Sequence, residues 1–223
     1  MDISLPPEAI RVLGVLLEKQ MATPDYYPLT RNALVAGCNQ KSSRDPVMAL
    51  SDADVAEALE PLREARMAGQ IRTAGSRTTK YEHRMTESFE LSRRELAVLA
   101  VLMLRGPQTV GELRTRTGRL YAFGGLNEVE RTLKELEDRA DGPWVAQLTR
   151  QPGRKEPRFA HLLGGPVEAA EPDASADAPA EPPARRRDDL SDRVFSLEEE
   201  VAELREELAS LRAELAELRA MWE

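Results

Sequence analysis

The sequence predicts a mainly α chain with small β-hairpins, an α+β class, organised as two tandem domains and a C-terminal helix. Three observations predict it. A plan of three apolar-faced helices followed by two short strand-like runs occurs twice, with matching residues 79 positions apart at Thr30 and Thr109 and 76 apart at Ser51 and Asn127. An Ala/Pro/acidic stretch then interrupts all apolar periodicity. Beyond it, large apolar residues step by four and three to the last residues of the chain.

Each element of the first copy has a local reason. "EAIRVLGVLLEKQ" is an apolar helix, and "TRNALVAG" opens on Thr30, a good N-cap. "SDADVAEALEPLREARMAG" begins on Ser51 and is expected to end at Gly69. "QIRTAG" and "TKYEHRM" then read as a hairpin around Ser76–Thr78. In the second copy "ELAVLAVLMLRG" follows a capping box of Ser92 and Glu95, and "TVGELRTRTG" follows one of Thr109 and Glu112. "NEVERTLKELEDRADG" is expected to start at Asn127, and "WVAQLT" and "PRFAHLL" form a hairpin about "RQPGRKE". Three helices and a hairpin in about 80 residues is the winged-helix plan. We therefore expect winged-helix domains at residues 1–88 and 89–165.

"PVEAAEPDASADAPAEPPARRRDD", residues 166–189, has too little apolar surface to offset its ordering entropy and reads as a linker. Residues 190–223 read as a coiled-coil helix. Val194, Val201, Leu208, Leu215 and Trp222 take the a positions, with Leu190, Leu197, Leu204, Leu211 and Leu218 at d. In a parallel pair, Arg193, Glu200, Glu207 and Glu214 at g face Glu198, Arg205, Arg212 and Arg219 at e, all of opposite sign. An antiparallel pair would oppose mostly like charges, so a parallel homodimer is expected.

Composition bounds the chemistry. The net charge of −8 belongs to the tail, since residues 1–165 carry 24 Lys+Arg against 22 Asp+Glu. There is no run of apolar residues long enough to span a membrane, no signal peptide is read, and the single cysteine fits a reducing compartment. A cytoplasmic protein is expected.

The stretch "RVLGVLLEKQMATPDYYPLTRNALVAGCNQKSSRDPVM" resembles the signature of the YceH family of bacterial proteins. The resemblance covers the two domains and reaches the tail. It implies two winged-helix domains, self-association and no established catalytic activity, and it carries over no catalytic residue.

The residues themselves offer no catalytic constellation. Cys38 lies on the apolar side of "ALVAGC", and His83 and His161 fall in separate hairpins. No C-x-x-C or H-x₃-H pair suggests zinc, Lys41-Ser42-Ser43 lacks an activating partner, and both phosphate-binding glycine motifs are missing. No catalytic residue, metal or cofactor is expected.

The fold's common use is duplex binding, with the third helix in the major groove and the wing on phosphate. Candidate phosphate contacts are Arg72, Arg77, Lys80 and Arg84 on the first hairpin, and Arg150, Arg154, Lys155 and Arg158 on the second. Lys41, Arg44, Arg114, Arg116 and Arg119 add to them. The third helices disagree: Asp52, Asp54, Glu57 and Glu60 in the first, and a Glu-rich mixture in the second, meet phosphate with repulsion. The expectation is a DNA-associated regulator holding duplex phosphates through basic wings. The alternative is a protein-interaction scaffold that does not touch DNA.

"NQKSSRDP" joins the second and third helices by about ten residues, where a helix-turn-helix uses three or four. Two readings are open: a self-bonded loop pinned by Tyr26 and Tyr27, or a contact surface centred on Lys41, Ser42, Ser43 and Arg44.

Overall fold

The computed structural model describes residues 4–72, 78–149 and 156–165, all within the compact unit Met1–Pro179. The linker at 166–189 and the heptads of 190–223, from Leu190 to Trp222, lie outside the described residues. Described are α1 (Pro7–Ala22), a 3-10 turn (Pro24–Tyr26), β1 (Leu29–Thr30), α2 (Arg31–Cys38), α3 (Asp52–Glu64), β2 (Ala68–Ile71) and β3 (Lys80–His83). They continue with α4 (Met85–Phe89), α5 (Arg93–Arg105), α6 (Val110–Arg116), α7 (Leu126–Glu137), β4 (Val145–Gln147) and β5 (Phe159–His161). This is a mixed α+β architecture with two small antiparallel sheets, ordered β1-β3-β2 and β4-β5.

The capping residues set the helix starts. Thr30 Oγ1 accepts from the Ala33 amide at 3.2 Å, and Ser92–Glu95 and Thr109–Glu112 close reciprocal boxes. Ser51 and Asp54 close a third at the start of α3. Two boundaries differ from expectation. The Glu128 carboxylate accepts from the Gly124 amide at 2.8 Å and the Tyr121 hydroxyl at 3.0 Å, so α7 begins at Leu126 with Gly125 as its N-cap. Helix α3 stops at Glu64, and Arg66, with φ 57°, takes the left-handed position expected of a glycine. Gly69 instead lies within β2, where a Cβ would meet the Arg84 guanidinium at 2.3 Å.

The two sheets differ in strand number but share one feature. Thr30 pairs with Lys80 just ahead of α2, and Gln108 bridges Phe159 just ahead of α6. Each half thus ties the entry of its second helix to its hairpin.

Helices α1 and α5 form the centre. Every residue from Ala9 to Leu17 and from Glu95 to Leu104 is buried, as expected of helices that are apolar on all sides. They pack on each other at Gly14, whose missing Cβ would lie 3.0 Å from the Leu104 side chain and 3.1 Å from Met103 Cβ. The start of the chain also crosses to the second half, where the Leu5 amide donates to the Leu163 carbonyl at 2.8 Å.

Candidate contact surface at the α2–α3 loop

The connection from Asn39 to Ser51 is built from below by buried charge. Arg11, 1% exposed on α1, donates to the Cys38 carbonyl at 3.1 Å and the Pro46 carbonyl at 2.6 Å. Arg44 folds inward from the loop. Its Nε donates to the Gly37 carbonyl at 3.0 Å, and its terminal nitrogens to Gln40 Oε1 at 2.9 Å and the Ser43 carbonyl at 3.0 Å. The same nitrogens grip Glu18 of α1 as a bidentate fork at 3.1 and 2.6 Å. Burial pushes the Glu18 carboxyl up, but the Arg44 and Lys19 charges and the Arg44 hydrogen bonds outweigh it and hold it at about 2.

The loop is also fastened to the second half. The Asp45 amide donates to the Leu104 carbonyl at 2.8 Å, and Arg105 donates to Ser43 Oγ. At the far end Asn39 brackets Leu50, donating to its carbonyl and accepting from its amide, both at 2.7 Å. Between the fixed points at Asp45–Pro46 and Leu50, Pro46, Val47 and Ala49 face solvent. The loop is self-bonded in part, through Asn39 to Leu50 and Arg44 to Gln40 and Ser43, but it is pinned by α1 and α5 rather than by Tyr26 and Tyr27. Tyr27 serves the hairpin instead, its hydroxyl accepting from the His83 amide at 2.6 Å.

Cys38, His83 and His161 are set into the fold. Cys38 is buried, and burial pushes its thiol up to about 12. His83 Nδ1 accepts from the Met85 amide at 3.2 Å, so its proton sits on Nε2 and is donated to Gln20 Oε1. Burial lowers His83 to about 4, and His161 on β5 likewise. A shallow groove between α5 and α7, lined by Arg94, Glu95, Arg131, Lys134, Glu135 and Arg139, is largely self-compensating. Arg94 pairs with Glu135 at 2.7 Å and Arg139 with Glu95 at 3.5 Å. Among the described residues no group of His, Cys, Asp and Glu could hold a metal, and no helix is long and apolar enough to cross a membrane.

A family model described as protein of unknown function, DUF480, matches residues 5–154, more than half of the chain. This chain belongs to that family. Its relatives include a UPF0502 protein of Geobacter sulfurreducens, 49% identical over 201 residues and covering 89% of each chain. A UPF0502 protein of Geobacter metallireducens is 53% identical over 193 residues, covering 85% of each, and one of Serratia proteamaculans is 43% identical over 202 residues, covering 89% of this chain and 91% of its own. The family is consistent with the resemblance carried by the motif at residues 11–48.

Within this DUF480 chain the expected phosphate ligands that lie among the described residues have different surroundings. Arg44 is corrected outright: its side chain is 0% exposed and bound on all sides, so it does not reach a duplex. Arg116 donates to Gln108 Oε1 and pairs with Glu112 at 3.6 Å. Arg158 donates to the Pro107 carbonyl at 2.6 Å and pairs with Glu112 at 3.3 Å. Both guanidinia brace the capping carboxylate of α6 rather than standing free. Arg72, Lys80 and Arg84 lie on the first hairpin, Arg72 and Arg84 exposed, with Arg84 3.7 Å from Glu82. Lys41, Arg114 and Arg119 are exposed elsewhere. Arg77, Arg150, Arg154 and Lys155 lie outside the described residues. Ser42 and Ser43 are half-buried, with Ser43 serving Arg105.

What the sequence reading missed is apolar. Val47 is 57% and Leu126 47% exposed, the large hydrophobic side chains most open to solvent among the described residues. Val47 lies on the loop that enters α3 and Leu126 opens α7, so each stands at the start of the third helix of its half. The available signal was "PVMAL", an apolar run where a solvent loop should be polar.

Proposed function

We propose that this UPF0502 protein is a non-enzymatic adaptor that engages other proteins through two winged-helix modules, α1–β3 and α5–β5. The heptads of residues 190–223 pair two copies in parallel. The exposed side of α3 carries the reading. Asp52, Asp54, Glu57, Glu60 and Glu64 all face solvent, against Arg63 alone among the helix's own bases. A duplex reader needs cations or amides at that helix, and acid there repels phosphate. Affinity capture of the full chain from its native cells, with and without nuclease, tests the proposal. Stoichiometric protein partners that persist after nuclease are expected, and recovery that depends wholly on DNA would overturn it.

The second reading, a DNA-associated regulator, is favoured by three basic residues on the first hairpin, Arg72 and Lys80 toward one end and Arg84 at the other. It requires salt-sensitive duplex binding at low ionic strength that weakens uniformly across sequences when Arg77, Lys80, Arg154 and Lys155 are reversed in charge.

A further inference from the structure

We propose that the knuckle at residues 46–49 and the exposed side of α3 form a docking surface for a basic peptide segment of a partner protein. Val47 is its apolar anchor, and Glu57, Glu60 and Glu64 are its ionic rim. The proposal rests on the adaptor reading and says where the adaptor grips.

Three observations lead to it. First, the knuckle is exposed and yet preorganised. Arg11 holds the Pro46 carbonyl at 2.6 Å, the Asp45 amide is bonded to Leu104 at 2.8 Å, and Asn39 holds both backbone groups of Leu50 at 2.7 Å. Buried polar groups are thus used to present an apolar side chain to water, whereas an idle loop needs no such support. A fixed anchor loses little entropy on binding, which is the condition under which a few side chains carry an interface.

Second, the acid of α3 outlasts its local explanation. Asp52 and Asp54 in the first turn are favourable to the helix dipole, and Asp54 also closes the capping box. Glu60 and Glu64 stand in the second half of the helix, where negative charge opposes the dipole, and both are exposed. Glu60 has a local partner in Arg63, which donates to its two oxygens at 2.9 and 3.0 Å. An exposed pair of this kind adds little stability, and a cationic partner would meet Glu57 and Glu64 beside it.

Third, the two features are contiguous. The bracket at Leu50 leads directly into the Ser51 cap, so along the chain the apolar knuckle is followed at once by the helix that carries the acids. An apolar anchor flanked by acid is complementary to a segment carrying Leu or Phe between Lys and Arg, and it excludes the phosphate backbone of nucleic acid.

Fluorescence anisotropy with the full chain tests this, using a labelled amphipathic Lys/Leu peptide and an equally charged Lys/Ser peptide as probes. The Lys/Leu peptide is expected to bind more tightly. Val47→Asp is expected to weaken it by roughly tenfold or more, as is the pair Glu57→Lys and Glu60→Lys. These positions are exposed, and an unchanged circular dichroism spectrum excludes unfolding as the cause. Equal binding of both peptides, or unchanged affinity in both variants, overturns the proposal. So does competition for the same surface by duplex DNA, or conversion of the dimer to monomer by Val47→Asp in sedimentation, which would assign the surface to nucleic acid or to a second copy. Failure of the adaptor reading looks different: capture from cells then yields no nuclease-resistant partner, whatever the peptides do.

Discussion

Replacing Arg44 by methionine keeps the aliphatic stem and removes the guanidinium that joins the α2–α3 loop to α1. The size of the effect follows from Glu18, whose side chain is only 17% exposed and whose carboxyl is displaced from 4.5 to about 2. At about 1.4 kcal/mol for each tenfold in proton affinity, that displacement contributes about 3 kcal/mol at neutral pH. Arg44→Met also releases the Gly37, Gln40 and Ser43 oxygens. Lys19, 3.8 Å from Glu18, offsets part of the loss. We expect a net loss of about 3–5 kcal/mol, the range for leaving one partner of a buried pair uncompensated. Glu18→Gln in the Arg44→Met background should recover part of it, because the orphaned charge is gone.

The sign of the pH dependence is fixed by the direction of the displacement. A carboxyl held low in the folded state contributes stability that is fully present above about pH 4.5 and disappears as pH falls toward about 2. Urea unfolding of the wild type, both single variants and the double variant at neutral and acidic pH gives the coupling energy directly. A coupling of about 2–3 kcal/mol at neutral pH that shrinks on acidification is expected. A coupling below about 0.5 kcal/mol, or one indifferent to pH across that window, would refute the assignment of Arg44 as an internal clamp.

His83 stays neutral when folded, at about 4 rather than 6.5, so stability should fall as pH drops through that interval, and its ring resonances should not titrate near neutrality in NMR spectra. Cys38, buried and raised to about 12, should resist a thiol reagent in the folded protein and react at once in denaturant. Gly14→Leu drives a side chain into Leu104 and Met103 at the α1–α5 contact and should cost at least about 1–3 kcal/mol in denaturant unfolding, whereas Gly111→Ala, with only Thr109 Oγ1 at 4.0 Å, should be tolerated.

Much of the helical layout was legible because it rests on local chemistry. Ser92–Glu95, Thr109–Glu112 and Thr30 announce helix starts within three residues of themselves, and the structure uses each of them. The two hairpins were legible too, but the short pairings that tie them to the helices were not. β1 has two residues and is a strand because Leu29 and Thr30 meet Tyr81 and Lys80; Gln108 meets Phe159 in the same way. The left-handed position at Arg66 escaped because a glycine was expected, while Gly69 falls inside β2 with the Arg84 side chain lying against it. Arg11 could have been noticed: the one charge within the apolar run from Ala9 to Leu17 must find partners inside, and it finds the Cys38 and Pro46 carbonyls.

Arg44 and Val47 together define what the sequence reading of the α2–α3 loop got wrong and what it overlooked. A basic residue in a Ser-rich loop suggests solvent and phosphate, and an apolar one suggests packing. Burial reverses both, with the Arg44 side chain 0% and Val47 57% exposed. For Arg44 the reversal has a physical origin. Glu18, 26 residues earlier on α1, offers a carboxylate at the place where the loop crosses the helix, and Arg44 is drawn in to meet it. Asp45 is also bonded to Leu104, and Pro46 and Val47 directly after it are exposed. The polar letters of the motif therefore build the support, and its apolar letters are what the support presents. A search for the function of this loop through its charges alone would mutate the clamp and lose the fold. Val47 is the position where a substitution can separate binding from folding.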